Sequence, residues 1–250
     1  METANAFQER RYAEWLDQRY PEFWRRFGGV PDFTGKRVID FGCGRGGMVQ
    51  RVMEAGAASA TGIELDPDYL EFANSKVASQ WDGRAEFILG DIREMDIEPA
   101  DIVVSSDTME HVMSLPDTLG AVVQACKPGG DLYIGFSPLW HSPYGHHRLI
   151  AAKRPWAHLP DEKFLARMKD GQGRSPDSIR QLGFNGATPA DFRAALKGLP
   201  VEIIGARRNL ASSPLKSLAM KALLLPGVLF PPLEKYVTIG IYWHLRRVTG

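Results

Sequence analysis

Between Lys36 and Ser137 the chain alternates short runs rich in β-branched residues with longer runs of helical periodicity. The short runs indicate strands over residues 37–40, 61–64, 86–89, 101–105 and 132–136. The longer runs predict helices over residues 47–55, 68–79 and 115–126. Alternating strands and helices join through right-handed crossovers, which produce a mostly parallel sheet covered by helices on both faces. Two further strands are predicted near the C-terminus, at 201–207 and 236–246.

The first strand runs into a glycine-rich segment, VIDFGCGRGG over residues 38–47, that opens the next helix. Gly42, Gly44 and Gly46 allow a tight turn and let a ligand approach the main chain closely. Dinucleotide-binding enzymes also use such a loop, so the glycines alone do not fix the ligand. Asp40 stands where a dinucleotide-binding loop usually carries an apolar residue, which argues against that class.

Two more carboxylates follow the next strands. Glu64 ends the second strand, 22 residues after Gly42, where a carboxylate can accept hydrogen bonds from both hydroxyls of a ribose. Asp91 ends the third strand and is placed to accept a hydrogen bond from an exocyclic amine such as that of adenine. Each carboxylate also has a purely structural interpretation: Asp91 could cap a helix, and Glu64 could be an exposed surface residue.

Five motifs in one order, VIDFGCGRGG, GIELDP, GDI, DIVVSSDTMEHV and KPGGDLYIGFS, span residues 36–137. In order and spacing this segment resembles the class I S-adenosylmethionine-dependent methyltransferases. The resemblance implies an α/β, Rossmann-like fold with a seven-stranded, mostly parallel sheet, helices on both faces and an antiparallel last strand. It also implies S-adenosylmethionine as cofactor and S-adenosylhomocysteine as product. This cofactor carries a sulfonium cation and no pyrophosphate, which suits acidic residues at the strand ends.

The resemblance assigns the methionine end of the cofactor to the first and fourth strands. Gly42, Gly44 and Gly46 would lie under the methionine part. Asp40 would hold the ammonium group, directly or through water, and the Ser106 carbonyl would meet the same group.

The adenosine end is assigned to the second and third strands in the same way. Glu64 would bind the ribose hydroxyls, and Leu65 would pack on the adenine. Asp91 would accept from the adenine amine, while the Ile92 N–H would donate to a ring nitrogen.

Methyl transfer from a sulfonium depends on positioning, and an oxygen or nitrogen acceptor often needs a base as well. Histidines titrate near neutrality and are the candidate bases. His111 follows the fourth strand, and His146 and His147 follow the fifth, at the edge of the sheet where ligands bind. Tyr144 could donate to, or stack on, a substrate. For His111 the alternative role is a structural hydrogen bond.

No metal site is predicted, and two alternatives stay open. Asp107, Glu110 and His111 lie within one helical turn of a DTMEHV motif that resembles the ubiquinone-pathway O-methyltransferases, and could hold Mg²⁺ against a substrate diol. His141, together with His146 and His147, could bind zinc, but a nearby cysteine pair is missing from the sequence.

The character of the chain changes along its length. We divide it into an N-terminal helical cap (1–35), a cofactor-binding core (36–137), a substrate loop and helical lid (138–200) and closing strands with an apolar insertion (201–250, insertion 211–232). Pro21 is expected to split the N-terminal segment into two short helices. Helices in the lid are predicted at 161–169, 176–182 and 189–199. The insertion has leucines and alanines at helical spacing with two lysines, typical of a packed lid, a homodimer contact or a peripheral membrane helix.

Charge and composition limit the partners. The 30 basic and 30 acidic side chains cancel, but residues 1–140 carry 13 basic and 23 acidic, and residues 141–250 carry 17 and 7. The basic half suggests an anionic partner or is a solvated surface. The sequence after the fourth strand lacks the tetrapeptide that grips a flipped base amine, so a nucleic-acid substrate is not predicted. No apolar run follows the first charges, and we expect a cytoplasmic protein.

The sequence therefore predicts a methyltransferase that uses S-adenosylmethionine and acts on a small-molecule acceptor, with oxygen as the favoured acceptor atom. An anionic or lipid-like acceptor is included in this prediction. N-methylation, intramolecular cyclisation of the cofactor and a non-catalytic cofactor-binding protein are the alternatives.

Overall fold

A computed structural model describes residues 4–147, 149–150, 154–209, 218, 222 and 225–249. Its strands are β1 (Arg37–Phe41), β2 (Ser59–Glu64), β3 (Ala85–Leu89), β4 (Ala100–Ser106), β5 (Cys126–Phe136), β6 (Val201–Arg208) and β7 (Ile241–Arg247). They form one sheet in the order β3-β2-β1-β4-β5-β7-β6. β1 to β5 pair in parallel, and β7 runs antiparallel between β5 and β6. The predicted Rossmann-like sheet with an antiparallel last strand is confirmed.

Helices cover both faces of this sheet. They are α1 (Ala4–Glu14), α2 (Tyr20–Phe27), α3 (Gly47–Glu54), α4 (Pro67–Lys76), α5 (Leu115–Gln124), α6 (Asp161–Leu165), α7 (Pro189–Ala195), α8 (Leu225–Leu229) and α9 (Glu234–Val237). Side chains of β1 alternate between the faces, so Val38 packs with α2, α3 and α4 while Ile39 packs with α5 and α7. A smaller apolar cluster around Trp140 and Phe184 lies in the segment after β5.

The N-terminal helices join through a π-helical turn over Trp15–Arg19, so residues 4–27 form one helical segment. At the end of this turn the Tyr20 N–H donates to the Trp15 carbonyl five residues earlier. Pro21 lacks an N–H, and the widened turn just before it places the proline in the first turn of α2. The prediction that Pro21 splits this segment into two helices was therefore wrong. We refer to residues 4–27 as the N-terminal helical segment.

The C-terminal third differs from the sequence prediction in detail. The last strand begins at Ile241, because residues before it form α9, where Glu234 is buried and paired with Arg193 and Arg208. The helices predicted in the lid are shorter, as α6, a 3₁₀ turn at Ile179–Leu182 and α7. The amphipathic helix predicted within 211–232 falls largely outside the described residues. No helix in the described part of the chain is long and apolar enough to span a membrane.

Candidate active site

A cavity of about 1030 Å³ opens at the edge of the sheet where β1 to β4 end. Its floor consists of residues that follow these strands, including Gly42, Leu65, Asp91 and Asp107. Its opposite wall is the N-terminal helical segment, which contributes Arg11, Tyr12, Glu14, Trp15, Gln18, Arg19, Glu22, Phe23 and Arg26. A cleft of this size at the carboxyl ends of parallel strands is the usual ligand position in an open α/β sheet.

The three glycines of the loop after β1 serve two different purposes. Gly42 has φ +76°, and a Cβ there would overlap the Thr108 side chain. Gly44 has φ +52°, and no atom lies within 4 Å of the position that a Cβ would take. A ligand can therefore approach its main chain closely. Gly46 is not among the residues that line the cavity. A Cβ on Gly46 would lie 2.6 Å from the Phe87 ring, so this glycine allows the start of α3 to pack on β3.

Asp40 lies at the cavity floor with only 3% of its surface exposed. Its Oδ1 atom has no hydrogen-bond partner among the described residues. Burial, with a smaller contribution from the charge of Glu64, raises the pKa of Asp40 to about 8. A buried carboxyl with a free oxygen is costly unless a cation pairs with it. The site therefore fits the ammonium group that the sequence analysis assigned to Asp40.

Glu64 is held by main-chain donors at the end of β2. Its carboxylate accepts hydrogen bonds from the N–H groups of Gly44 at 2.9 Å, Leu65 at 2.8 Å and Asp66 at 3.2 Å. A carboxylate offers about four lone-pair positions, so acceptor capacity remains for ribose hydroxyls. Beside it the Leu65 side chain is 67% exposed and lines the cavity, where it provides an apolar surface for a flat ring.

Asp91 lines the cavity but already has a cationic partner. The Arg93 guanidinium donates to both carboxylate oxygens, over 2.6 to 3.1 Å, and holds the pKa of Asp91 below its usual range. An adenine amine would therefore share this carboxylate with Arg93. The Ile92 side chain is buried in the core below the cavity. The Ser106 carbonyl, on the cavity wall, accepts from the Thr108 hydroxyl at 3.2 Å.

Of the four predicted catalytic side chains, only His111 lines the cavity in the described part of the structure. Its Nδ1 lies 2.8 Å from the Gly183 carbonyl. His147 lies behind it, with ring centroids 5.8 Å apart. His146 is buried, and Tyr144 is half exposed on the loop after β5. The structure thus brings His147 to His111, and the catalytic roles stay predictions.

Burial and a contact with a main-chain carbonyl act on the protonation of the His147 imidazole. Its Nε2 lies 2.7 Å from the Pro138 carbonyl. Burial lowers the pKa of His147 to about 4, so the imidazole is neutral near pH 7. Neither ring nitrogen of His146 has a hydrogen-bond partner among the described residues.

Comparison with known proteins identifies the core. Residues 38–130 match the protein-family model described as Methyltransferase domain. This segment is a methyltransferase domain. The ubiquinone biosynthesis O-methyltransferase of Neisseria meningitidis serogroup C is 34% identical over 131 residues, which are 50% of this chain and 52% of that protein. The chain thus matches about half the length of this relative.

Solved structures share the fold of the methyltransferase domain and the elements around it. An S-adenosylmethionine-dependent methyltransferase from Mesorhizobium loti has a TM-score of 0.59 at 19% identity, covering 93% of this chain and 100% of that one. Geranyl diphosphate C-methyltransferase from Streptomyces coelicolor A3(2) has a TM-score of 0.64 at 12% identity, covering 99% and 85%. The predicted methyltransferase family is confirmed for this segment, and the solved structures confirm the predicted fold.

The site has residues, outside the segment that matches the family model, that the sequence analysis missed. Arg19 in the N-terminal helical segment pairs with Asp107 at 2.9 Å and lines the cavity. Asn185 fixes the turn that carries His111, because its side-chain amide donates to the carbonyls of Met109 at 2.7 Å and Val112 at 2.9 Å. These contacts join residues more than 70 positions apart, and no local pattern in the sequence signals them.

Proposed function

We propose that the protein transfers the methyl group of S-adenosylmethionine to an oxygen atom of a small-molecule acceptor. The observation that carries this proposal is the buried Asp40 carboxyl, which has a free oxygen at the floor of the cavity. When bound, the cofactor supplies a methyl group that its sulfonium has already activated. Asp40 would hold the ammonium group, Glu64 the ribose hydroxyls, and the exposed Leu65 side chain the adenine face.

His111 is the residue that we propose to act on the acceptor. The Gly183 carbonyl can only accept a hydrogen bond, so this contact selects the neutral tautomer of His111 that has its proton on Nδ1 and its lone pair on Nε2. His111 follows β4 and lines the same cavity as Asp40. Oxygen is the proposed acceptor atom because the relative from Neisseria is named an O-methyltransferase for ubiquinone biosynthesis.

Two arginines support an anionic acceptor. Arg11 and Arg45 line the cavity, and within the described residues neither has a carboxylate partner. The Arg45 guanidinium lies over the Tyr69 ring, 4.5 Å from its centroid. Neighbouring folds include enzymes named for geranyl diphosphate, which is both anionic and lipid-like. A cytoplasmic location, a homodimer and membrane contact through 211–232 stay predictions.

Calorimetric titration with S-adenosylmethionine, S-adenosylhomocysteine and NAD tests the cofactor half of the proposal. We expect the first two to bind and NAD not to bind, and Asp40→Asn to weaken binding of both. The acceptor half is tested by following S-adenosylhomocysteine formation with panels of phenols, catechols and amines that carry anionic or prenyl groups. Turnover of amines alone would favour N-methylation, and cofactor loss without any acceptor would favour cyclisation. Tight cofactor binding with no turnover in any panel would favour a binding protein.

A further inference from the structure

The last strand of the sheet, β6, has a long free edge. β6 pairs with β7 on one side, and within the described residues no other strand pairs with it. Ile203 and Ile204 near its centre are 52% and 42% exposed. An exposed apolar edge strand presents a row of unpaired main-chain groups, to which another chain can add a strand.

The opposite edge of the sheet, β3, lacks these properties. β3 has five residues, and its only charged side chain, Glu86, accepts from the Thr61 hydroxyl at 2.9 Å. Two copies of β3 side by side would bring two carboxylates together without a cation. β6 has eight residues and carries charges of both signs, from Glu202, Arg207 and Arg208.

We propose that two copies of this chain pair through β6, antiparallel about a twofold axis, and so join their two sheets into one. A twofold contact uses the same surface on both copies, so that surface has to be complementary to itself. The main-chain groups and the charges of β6 both meet this condition.

The direction of the main-chain groups follows from the ladder between β6 and β7. In an antiparallel pair, alternate residues direct their N–H and C=O groups at the partner strand. At one end of the ladder the Asn209 N–H donates to the Gly240 carbonyl at 3.1 Å. At the other end the Val248 N–H donates to the Pro200 carbonyl at 2.9 Å. Counting inwards from these two bonds leaves four residues whose main-chain groups face away from β7: Val201, Ile203, Ala206 and Arg208.

A β-bulge makes this outward-facing set symmetric. The register of β6 against β7 shifts after Ile203, so Ile204 is an extra residue on β6. The outward-facing residues therefore lie at equal distances along the chain on either side of the bulge. Antiparallel pairing about the bulge sets Ile203 opposite Ala206 of the second copy. It also sets Val201 opposite Arg208, with the two bulges meeting at the twofold axis.

The charges of β6 are complementary in the same arrangement. Glu202 and Arg207 lie opposite Arg246 and Tyr242 of β7, which are four residues apart, so both side chains point to the same face of the sheet. Pairing about the bulge sets Glu202 of each copy opposite Arg207 of the other. Side chains lie closest in pairs of this kind, which are not hydrogen-bonded, and opposite charges there are stabilising.

Both side chains are available for such a pair. Arg246 pairs with Asp131 at 3.0 Å, and Glu202 has no ion-pair partner among the described residues. Arg207 donates from Nη1 to the Arg26 carbonyl at 3.2 Å and has no carboxylate partner in the described part of the chain. Glu202 and Arg207 are both exposed. No residue of β6 lines the cavity, so the contact is separate from the candidate active site.

Sedimentation velocity of the full chain, without cofactor, measures the contact. We expect the mass to rise from 27.8 kDa towards twice that value as the concentration increases. Glu202→Arg and Arg207→Glu should each raise the Kd of the dimer about tenfold or more, because each sets two pairs of like charges across the contact. Glu71→Arg is the matched control for charge, since Glu71 is exposed on α4, which packs beside β3 at the opposite end of the sheet. Its Kd should be unchanged.

Mixing the two variants tests the pairing between copies. An equimolar mixture of Glu202→Arg and Arg207→Glu should form a heterodimer, because every pair across the contact then joins a basic and an acidic side chain. The double variant should dimerise on its own for the same reason. Recovery on mixing identifies a contact between two chains, since no rearrangement within one chain produces it.

A mass that stays at 27.8 kDa at the highest soluble concentration overturns the proposal. An unchanged Kd in both β6 variants would place the dimer contact on another surface and also overturns it, as does a mixture that stays monomeric. Thermal unfolding and S-adenosylhomocysteine binding check that each variant is folded. Should Arg207→Glu unfold the chain, Glu202→Ala and Glu202→Arg test the contact without breaking a hydrogen bond among the described residues, and the larger effect is expected in Glu202→Arg. None of these outcomes depends on methyl transfer, so the two proposals fail separately.

Discussion

The Arg19 guanidinium donates a hydrogen bond to Asp107 over 2.9 Å and ties the N-terminal helical segment to the loop after β4. The same carboxylate accepts from the Ser137 N–H at 3.1 Å, at the end of β5. Both Arg19 and Asp107 line the cavity. One carboxylate therefore joins three parts of the chain at the cavity wall, and this pair helps to keep the N-terminal helical segment over the cavity.

Arg19→Ala should weaken cofactor binding with little effect on stability. An exposed ion pair contributes about 1 kcal/mol or less to folding. Loss of the tie lowers the fraction of molecules with a closed cavity, and the apparent affinity falls with that fraction. We expect about a two- to fivefold higher Kd for S-adenosylhomocysteine in calorimetric titration.

Arg25→Ala is the matched control for Arg19→Ala. Arg25 lies on α2 and pairs with Glu22 at 3.8 Å, but it is not among the residues that line the cavity. Its Kd should match that of the unaltered chain. Equal changes in both variants would mean that Arg19 acts only through the stability of the helical segment.

Glu64→Gln should weaken cofactor binding by about 1.5 to 3 kcal/mol, because a hydrogen bond to a charged group contributes roughly this much free energy. Glutamine keeps the shape and one acceptor oxygen of the side chain. Thermal unfolding separates this loss from the loss of the hydrogen bonds that Glu64 accepts from Gly44 and Leu65. Glu71→Gln on the exposed side of α4 is the control. An unchanged Kd in Glu64→Gln would remove the ribose assignment.

Cofactor affinity should rise with pH, because an ammonium group pairs with the ionised form of Asp40. Burial raises the pKa of Asp40 to about 8, so the carboxyl is largely protonated at about pH 6. Binding then releases a proton, and affinity rises by up to about tenfold per pH unit below the pKa. Titration with S-adenosylhomocysteine in buffers of different ionisation enthalpy measures the proton. In Asp40→Asn both the proton release on binding and the pH dependence of the affinity should disappear. A pH dependence that persists in this variant would mean that another group releases the proton.

The stability of the protein without ligand should change with pH in the opposite direction. The folded state raises the pKa of Asp40 from 3.8 to about 8, so the folded chain binds this proton more tightly than the unfolded chain. The contribution is fully present below about pH 4 and is lost as the pH rises towards about 8. Denaturant unfolding at a series of pH values measures this loss. In Asp40→Asn the free energy of unfolding should depend less on pH in this range. An equal pH dependence in both proteins would contradict a raised pKa of the buried Asp40 carboxyl.

Gly42→Ala should destabilise the protein more than Gly83→Ala. Both glycines have φ +76°, so alanine meets the same backbone strain, about 1 kcal/mol, at either position. Only at Gly42 would the added Cβ overlap Thr108, whereas nothing lies within 4 Å at Gly83. The difference in unfolding free energy between the two variants measures this overlap. Cofactor binding should fall in Gly42→Ala alone, and equal behaviour of the two would contradict the close approach of Thr108.

Much of the fold could be predicted because its signals are local. The alternation of strands and helices indicated the parallel core, and the glycines after β1 marked the loop at its edge. Asp40, Glu64 and Asp91 could be placed together from the sequence because parallel strands bring their carboxyl ends to the same edge of a sheet. The π-helical turn before Pro21 and the helical turn at Glu234 were not predicted, since each depends on packing that the local pattern does not contain.

The sequence by itself determined the parallel sheet, the edge at which its strands end and the acidic residues along that edge. The repeat of apolar residues along each strand or helix and the handedness of the crossovers between strands both depend on residues that are close together in the chain. Only the tertiary structure decided which partners those residues have. Asp91 is paired with Arg93, and Asp107 with Arg19 rather than with the histidines. His147 is brought to His111 across 36 positions of sequence by Phe184 and by two main-chain carbonyls. Contacts between loops depend on the packing of the whole domain, and for this reason they are absent from the local sequence pattern.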